Sequence, residues 1–355
     1  MPERRSLEDL LHLAVTEQAS DLHLLVGLPP MLRIHKELIA VPGAEAVTAN
    51  ALANDIRGIL SPETHERYQS ERSIDASHTL SDGSRFRINA YFEKGNPALA
   101  ARYIPAHIPS LTELAVPDAV LDFSHLGQGI VLVTGPAGAG KTTLLAAMIE
   151  EINATRKEHI LTFEDPIEFL FSPKQSIISQ LQLGRDFPHF QSALKHALRQ
   201  DPNIILIGEM RDLETMQAAL TLAETGHVVF ATLHTNSAPQ TIERIVNAFP
   251  PFQQNQVRLQ LSLSLRGVIS QLLLPSATGG LVAAREVLVN NSAIAHLILE
   301  AKTEQIPNVL MTSGDQGMRT MDQELQELVE QGMVAPDTAM KYSRHPEKFG
   351  GEAIE

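Results

Sequence analysis

One short stretch restricts the possible folds of this chain more than any other. It matches the pattern G-x-x-x-x-G-K-[ST] without a mismatch and consists of Gly135, Pro136, Ala137, Gly138, Ala139, Gly140, Lys141, Thr142 and Thr143. The apolar, β-branched run at 129–134 is typical of a buried strand, and strong helix formers follow at 143–150. The glycines therefore fall on a turn that leads from a strand into a helix.

A turn of this kind can bind phosphate. Backbone N–H groups and the positive end of the helix face an anion there, and glycine leaves no side chain in the way. Lys141 would place its charge on the β- and γ-phosphates of a nucleotide, and the Thr142 hydroxyl would bind Mg²⁺. We predict that the loop binds ATP with Mg²⁺. A chance match is the weaker alternative, because strand, loop, Lys, Thr and helix are all in register.

Length and composition limit the remaining possibilities. At 355 residues the chain is long for one hydrophobic core, which favours two domains. The net charge of −14 argues against broad nucleic-acid binding, although a local basic groove stays open. The absence of cysteine excludes disulfides and Cys-ligated zinc. The N-terminus lacks the apolar core of a signal peptide and no apolar run is long enough to span a membrane, so we expect a cytoplasmic protein without membrane insertion.

The first part of the chain predicts a mixture of helices and strands. The predicted helices lie at 6–19 and 47–60, and the predicted strands at 21–26, 32–35, 85–93 and 99–104. Residues 85–93 alternate cleanly between apolar and polar side chains, so one face should be buried. Arg85 and Arg87 lie on the polar face, and a solvated sheet face is the ordinary interpretation of both.

A proline-containing stretch separates the two parts of the chain. Pro105, Pro109 and Pro117 lie in a segment with little periodicity, which proline makes stiff rather than flexible. We predict an N-terminal domain at 1–105, a linker at 106–118, a second domain at 119–341 and a frayed tail at 342–355.

The second domain alternates strands and helices, which predicts an α/β fold with a mainly parallel sheet and helices on both faces. Its predicted strands lie at 129–134, 159–163, 204–207, 227–234 and 281–289, and its predicted helices at 143–150, 191–199, 213–224, 252–265 and beyond 290–292.

Acidic residues follow two of these predicted strands. Ligands of parallel sheets lie at the carboxyl ends of the strands, and Mg·ATP hydrolysis needs one carboxylate for the metal and another to polarise water. Glu209 suits the metal because it follows four apolar residues and Gly208, although a single Glu at a strand end is more often a surface residue. Glu168 is our choice of general base. Glu164 and Asp165 are an alternative pair for the role of general base, if the rigid Asp165-Pro166 turn holds them outward.

Two histidines bound the strand at 227–234. Seven residues of strand separate them by roughly 23 Å, so they cannot share one phosphate site. His234, at the carboxyl end, is placed to sense the γ-phosphate. His227 suits a structural hydrogen bond and a subunit contact equally well.

Taken together, these motifs resemble the PilT/PilU family of type IV pilus retraction ATPases, within the secretion-ATPase superfamily. The resemblance runs from Ala19 to about Met333. The family's Walker A motif corresponds to 135–143, its Asp box to 161–169, its Walker B motif to 201–212 and its His box to 225–235. The family's catalytic glutamate falls on Glu168 and its metal-side glutamate on Glu209.

The resemblance implies a PAS-like α+β N-terminal domain, a RecA-like P-loop ATPase domain and a hexameric ring. ATP would lie between the two domains of one subunit, and Arg87 and Arg102 would approach its phosphates. Closure of one domain on the other would turn hydrolysis into motion. The implied partners are other copies of the chain in a homohexamer, an inner-membrane pilus platform protein and a paralogous retraction ATPase. The implied location is the cytoplasmic side of the inner membrane at the pilus base.

Two segments depart from the family pattern. The retraction branch commonly carries Ala-Ile-Arg-Asn-Leu-Ile-Arg-Glu near its C-terminus, whereas residues 293–300 have Ala295 and Leu299 in place of both arginines. After the Asp box the family usually has Gln-Arg-Glu, whereas residues 180–182 read Gln-Leu-Gln. Neither change touches the phosphate loop, so we expect ATPase chemistry to persist. Both changes leave open whether the protein drives retraction alone or as an accessory or divergent paralogue.

Three other functions stay open. Pilus-assembly and type II secretion ATPases usually carry a tetracysteine zinc module, which the absence of cysteine disfavours. An ATP-binding accessory subunit with little turnover is disfavoured by the intact Lys141, Glu168 and Glu209, while the missing arginines keep it open. A DNA-translocating ATPase is the weakest alternative, because the chain is acidic.

Overall fold

The computed structural model describes residues 5–34, 37–104 and 107–350. The chain divides into two compact units, Met1–Ile108 with Pro166–Leu170, and Pro109–Asp165 with Phe171–Glu355. The break after Ile108 falls within the predicted linker. Three predicted features lie outside the described residues, namely Pro105, His35 at the end of a strand and the last residues of the tail at 351–355.

The first unit combines three helices and six strands among its described residues. The helices are α1 (Leu7–Thr16), α2 (Ala49–Ile59) and α3 (Pro62–Glu71), and the strands are β1 (Asp21–Leu25), β2 (Met31–Ile34), β3 (Glu37–Ala40), β4 (Ser73–Thr79), β5 (Arg85–Glu93) and β6 (Asn96–Ile104). The strands form one antiparallel sheet in the order β3-β2-β1-β6-β5-β4. The predicted α+β character of this part is confirmed.

Local sequence explains where these elements begin and which face they bury. The Ser6 side chain accepts from the Asp9 amide and starts α1 with a reciprocal capping box. Along β5, Phe86, Ile88 and Ala90 are fully buried and pack in the core of this unit, as the alternation predicts.

The second unit is built around a larger sheet. Its described strands are β7 (Gly129–Thr134), β8 (His159–Glu164), β9 (Ile177–Gln182), β10 (Ile204–Ile207), β11 (Val228–Leu233), β12 (Leu265–Pro275) and β13 (Leu281–Val289). Its described helices are α4 (Asp118–Asp122), α5 (Lys141–Thr155), α6 (Phe190–Ala197), α7 (Leu213–Glu224), α8 (Ala238–Ala248), α9 (Pro251–Ser264), α10 (Ser292–Leu299), α11 (Ile306–Thr312), α12 (Met321–Glu330) and α13 (Pro336–Tyr342).

The strand order in this sheet is β13-β12-β7-β11-β10-β8-β9, and every pairing is parallel except that of β13 with β12. The predicted mainly parallel sheet is therefore confirmed. Every residue of β7, β10 and β11 is buried, which explains their continuous apolar sequences. Because these strands are parallel, the segments that follow them emerge at the same edge of the sheet.

Several elements had no prediction. They are the helices α3, α4, α8, α11, α12 and α13 and the strands β3, β4, β9 and β12. β12 begins directly after α9 with no turn residue between them, so its boundary carries no local signal.

The segment after Tyr342, predicted to be frayed, contains a 3-10 helix at Pro346–Phe349. The side chain of Asp322 accepts the Ser343 hydroxyl at 2.8 Å and the Arg344 amide at 3.0 Å. These hydrogen bonds attach the segment to α12. No helix in the part of the chain that the structure describes is both long and apolar enough to cross a membrane.

Candidate active site

The phosphate loop connects β7 to α5, as the sequence predicts. Gly140 is the N-cap of α5 and has a φ of 80°. Gly135 has a φ of +143°, and a Cβ there would lie 2.2 Å from the backbone oxygen of Gln271. Gly138 has a φ of +77°, and no atom lies within 4 Å of the position where its Cβ would be. The loop therefore needs glycine for its backbone and presents open space at Gly138, the shape expected of an anion cradle.

The Lys141 ammonium lies inside this loop. Its Nζ donates to the carbonyls of Gly135 at 2.7 Å and Pro136 at 2.9 Å. Burial lowers the pKa of Lys141, and the negative charge of Glu209 opposes that shift. A buried cation with neutral carbonyl partners is well suited to bind an anionic phosphate.

His234 connects Lys141 to Glu209. Its Nδ1 lies 3.4 Å from Lys141 Nζ, and its Nε2 lies 3.1 Å from Glu209 Oε1. Glu209 follows β10 and His234 follows the neighbouring β11, so the parallel sheet itself brings the two side chains to one edge. The other carboxylate oxygen of Glu209 accepts from Arg211 Nε at 2.8 Å. These contacts place Glu209 and His234 beside the phosphate loop.

Thr142 and Glu209 supply oxygens of the kind that Mg²⁺ prefers. Thr142 is exposed in the first turn of α5, and the Glu209 side chain is 23% exposed. A hydroxyl and a carboxylate fit a magnesium ion that keeps water and phosphate ligands. No group of three or more His, Asp or Glu side chains in the described ranges has the arrangement of an all-protein metal site.

Glu164 is not held outward. Its carboxylate accepts from the Thr162 hydroxyl at 2.7 Å and from Gln180 Nε2 at 3.2 Å, and the residue is buried. Gln180 belongs to the segment that departs from the family pattern, and here it helps to fix this carboxylate. Asp165 Oδ2 lies 3.9 Å from Arg211 Nη1.

Glu168 lies in the segment Pro166–Leu170, which belongs to the first unit. Its carboxylate lies 3.5 Å from Arg87 Nη1. Arg85 is only 7% exposed and donates to the backbone carbonyls of Ile167 and Glu168, both at 3.2 Å. The solvated-face interpretation of Arg85 was therefore wrong. Its partners are 82 and 83 residues away in sequence, so no local pattern could reveal them.

Arg102 lies directly across from Arg87 on neighbouring strands. Its Nε donates to Asp21 Oδ1 at 2.9 Å, and its side chain is 68% exposed. Arg102 is thus an exposed cation oriented by a carboxylate, and its approach to a nucleotide stays a prediction.

His227 has local structural partners. Its Nδ1 lies 3.0 Å from the Leu222 carbonyl and 3.2 Å from the Thr225 hydroxyl. These contacts fasten the end of α7 to the start of β11, so the structural interpretation of His227 has direct support.

Two polar residues beneath the phosphate loop were missed. Gln271 on β12 donates to the Ala139 carbonyl at 2.7 Å, and Arg285 on β13 donates to Gln271 Oε1 at 2.8 Å. The sequence did carry a signal, because Ser270 and Gln271 interrupt an apolar run at 268–274. Polar residues inside buried strands need hydrogen-bond partners.

Comparison with known proteins identifies the family of this chain. Residues 110–335 match the family described as "Type II/IV secretion system protein". The chain is 42% identical to the type IV pilus retraction ATPase PilT of Pseudomonas aeruginosa, over 97% of this chain and 99% of that protein. It is 45% identical to a twitching motility protein of Neisseria gonorrhoeae, over 90% of this chain and 86% of that one.

A solved structure has the same fold along nearly the whole chain. It is the crystal structure of the pilus retraction motor PilT with bound ADP, with a TM-score of 0.89 and 41% identity over 97% of this chain and 99% of that one. The chain therefore belongs to the Type II/IV secretion system protein family, among the relatives of the pilus retraction ATPase PilT.

Proposed function

We propose that this protein is a Mg²⁺-dependent ATPase that powers type IV pilus retraction. One observation carries the proposal most directly, namely the line of contacts from Lys141 through His234 to Glu209 at the phosphate loop. The similarity to PilT over nearly the whole chain supports the retraction function. The ADP bound in the related PilT crystal structure supports the choice of nucleotide.

Each site residue has a proposed role in hydrolysis. The loop at 135–143 binds the phosphates, and Lys141 neutralises the β- and γ-phosphates. Thr142 and Glu209 hold Mg²⁺, which supplies charge neutralisation at the phosphates when bound. Glu168 acts as general base on the attacking water, His234 senses the γ-phosphate, and the cations of Arg87 and Arg102 approach the nucleotide.

The proposed assembly is a homohexamer at the pilus base. The ring would be cytoplasmic and peripheral to the inner membrane. It would act on an inner-membrane platform protein, either alone or together with a paralogous retraction ATPase. The relationship to PilT supports this arrangement.

A deletion strain tests the direction of force. Loss of the protein should give cells with excess surface pili and no twitching, and the wild-type gene should restore movement where a Lys141→Ala gene does not. Cells without pili would instead indicate an assembly ATPase. Cells with normal pili and normal twitching would contradict a pilus function.

A second candidate function is an accessory subunit with little turnover of its own. The observation that favours it lies on α10, where Ala295 and Leu299 stand in place of the two arginines of the retraction branch. Leu299 is 45% exposed, so an apolar side chain occupies a surface position. Turnover that appears only when a paralogous ATPase is added would support this candidate.

A further inference from the structure

Gln271 is packed directly beneath the phosphate loop. Its backbone oxygen would lie 2.2 Å from a Cβ at Gly135, and its side-chain nitrogen would lie 2.9 Å from a Cβ at Gly140. The same nitrogen donates to the Ala139 carbonyl at 2.7 Å. Gln271 thus lies too close to Gly135 and Gly140 for either residue to carry a side chain without a shift of its neighbours. Gln271 therefore fixes the backbone between Gly135 and Gly140.

Arg285 fixes the orientation of that glutamine. Its Nε donates to Gln271 Oε1 at 2.8 Å, so the amide nitrogen of Gln271 is directed at the phosphate loop. Arg285 is 2% exposed. Its remaining guanidinium nitrogens donate to the carbonyls of Leu114 at 2.9 Å and Ala115 at 3.2 Å.

Among the residues that the structure describes, the charge of Arg285 has no carboxylate partner in a close ion pair. All of its hydrogen bonds described above go to neutral oxygens, and only the more distant charge of Glu324 raises its pKa against the lowering effect of burial. A buried guanidinium is costly unless its donors are satisfied. Its fixed fork of donors here joins three carbonyl groups from two segments, one on β12 and two in the turn at 114–115.

The segment held by Arg285 is the first turn of the second unit. We call residues 110–116 the entry turn, because they lie within the predicted linker, directly after the start of the second unit at Pro109. The amides of Leu114, Ala115 and Val116 donate back to carbonyls within the turn. Ala115 has a φ of +46°, a conformation that costs a non-glycine residue energy and needs support from its surroundings. Arg285 supplies that support through the Ala115 carbonyl.

We propose that Gln271 and Arg285 are positioning residues that couple the phosphate loop to the entry turn. A nucleotide that orders the Gly138–Gly140 backbone would order Gln271, then Arg285, and thereby the turn through which the chain enters this unit. The proposal rests on nucleotide binding by the loop, as proposed above. Because coupling is reciprocal, a change in the entry turn would also alter nucleotide affinity.

Hydrogen exchange of the full-length protein, with ADP as the probe, tests this coupling. In the wild type, ADP should slow exchange at the amides of residues 137–141. It should also slow exchange, by about threefold or more, at the amides of Leu114, Ala115 and Val116. Arg285→Met should abolish the effect at the entry turn while ADP still protects the loop. Arg156→Met is the matched control, since Arg156 donates to the Ser124 and Leu126 carbonyls and has no described contact with the phosphate loop.

Gln271→Glu separates the two contacts. The glutamate side chain still offers an oxygen to Arg285, so that hydrogen bond is kept. It has no N–H to donate to the Ala139 carbonyl, so that hydrogen bond is lost. The entry turn without ADP should exchange as in the wild type, ADP should bind about tenfold more weakly, and saturating ADP should no longer protect the turn. This variant also supplies the test if Arg285→Met does not fold.

The outcomes distinguish the coupling from the proposed function. A wild type that binds ADP without any change at the entry turn would overturn the coupling alone, as would ADP-dependent protection that survives in Arg285→Met or Gln271→Glu. A wild type that binds no ADP would overturn both the coupling and the nucleotide-binding function on which it rests.

Discussion

The imidazole of His234 lies 3.1 Å from the carboxylate of Glu209, across the carboxyl ends of two adjacent parallel strands. His234 also lies 3.4 Å from the Lys141 ammonium. The histidine therefore joins the proposed metal-side carboxylate to the phosphate loop.

His234→Ala should slow hydrolysis while the loop still binds nucleotide. Without the imidazole, Glu209 loses one of its two described side-chain partners, and misplacing such a group lowers kcat by about 10- to 100-fold. The measurements are steady-state ATP turnover and ADP affinity. His227→Ala, at the other end of the strand, is the control and should leave kcat close to that of the wild type. Equal kcat values for both variants would contradict the role of His234.

Arg85→Met should loosen the segment that carries Glu168. Two backbone carbonyls lose their buried donor, at a cost of about 1–3 kcal/mol each. Hydrogen exchange of the backbone amides within 166–170, all of which follow Pro166, should therefore accelerate. The control is Arg102→Met, which removes an exposed ion pair worth less than about 1 kcal/mol. Unchanged exchange at 166–170 in Arg85→Met would show that these hydrogen bonds do not hold the segment.

Gly135→Ala should damage the phosphate loop more than Gly138→Ala. At Gly135 a Cβ would lie 2.2 Å from a backbone oxygen, so β12 or the loop must move. At Gly138 a Cβ meets open space, and the cost is only the left-handed conformation, roughly 1–2 kcal/mol. Thermal unfolding and ADP affinity measure both effects. A Gly135→Ala protein as stable as Gly138→Ala would contradict the close packing of Gln271 on the loop.

Glu286→Gln should stabilise the fold increasingly as the pH rises. Burial raises the pKa of Glu286 above the ordinary value of 4.5. The hydrogen bond from the Ala238 amide and the charge of Arg344 oppose that rise without cancelling it. Between 4.5 and the raised pKa the folded state binds more protons than the unfolded chain, so the wild type loses stability as the pH rises through that window. Glutamine removes this titration and still offers an oxygen to the Ala238 amide at 2.8 Å.

Thermal unfolding of the wild type and of Glu286→Gln between about pH 5 and about pH 8 shows how their difference in stability changes with pH. As the pH rises, the melting temperature of the variant should increase relative to that of the wild type. Each kcal/mol of relative stability corresponds to about 2–4 °C. A gain at the acidic end that vanishes at the alkaline end would contradict the raised pKa.

The phosphate loop and the strands that lead to it were predictable because their signals are local. The apolar runs of β7, β10 and β11 reflect burial on both faces. Glu209 and His234 were then placed together by a topological rule, since parallel strands end at one edge of the sheet.

The supporting contacts were not predictable, because they join residues far apart in sequence. The alternating pattern predicts that Arg85 lies on a solvated polar face of the sheet, yet its hydrogen-bond partners come from a segment more than eighty residues away. Gln271 lies on a strand that follows a helix without a break, and its partner on the phosphate loop is 132 residues away. Such pairings depend on tertiary packing, which local patterns do not encode.

ATP turnover by the purified wild type, beside Glu168→Gln and Lys141→Ala, tests the central claim most directly. The wild type should hydrolyse ATP in the presence of Mg²⁺. Glu168→Gln should bind ADP normally but turn over at least about 100-fold more slowly, since it lacks the general base. Lys141→Ala should lose both binding and turnover. Equal, background-level rates for all three proteins, or full activity in Glu168→Gln, would contradict this account.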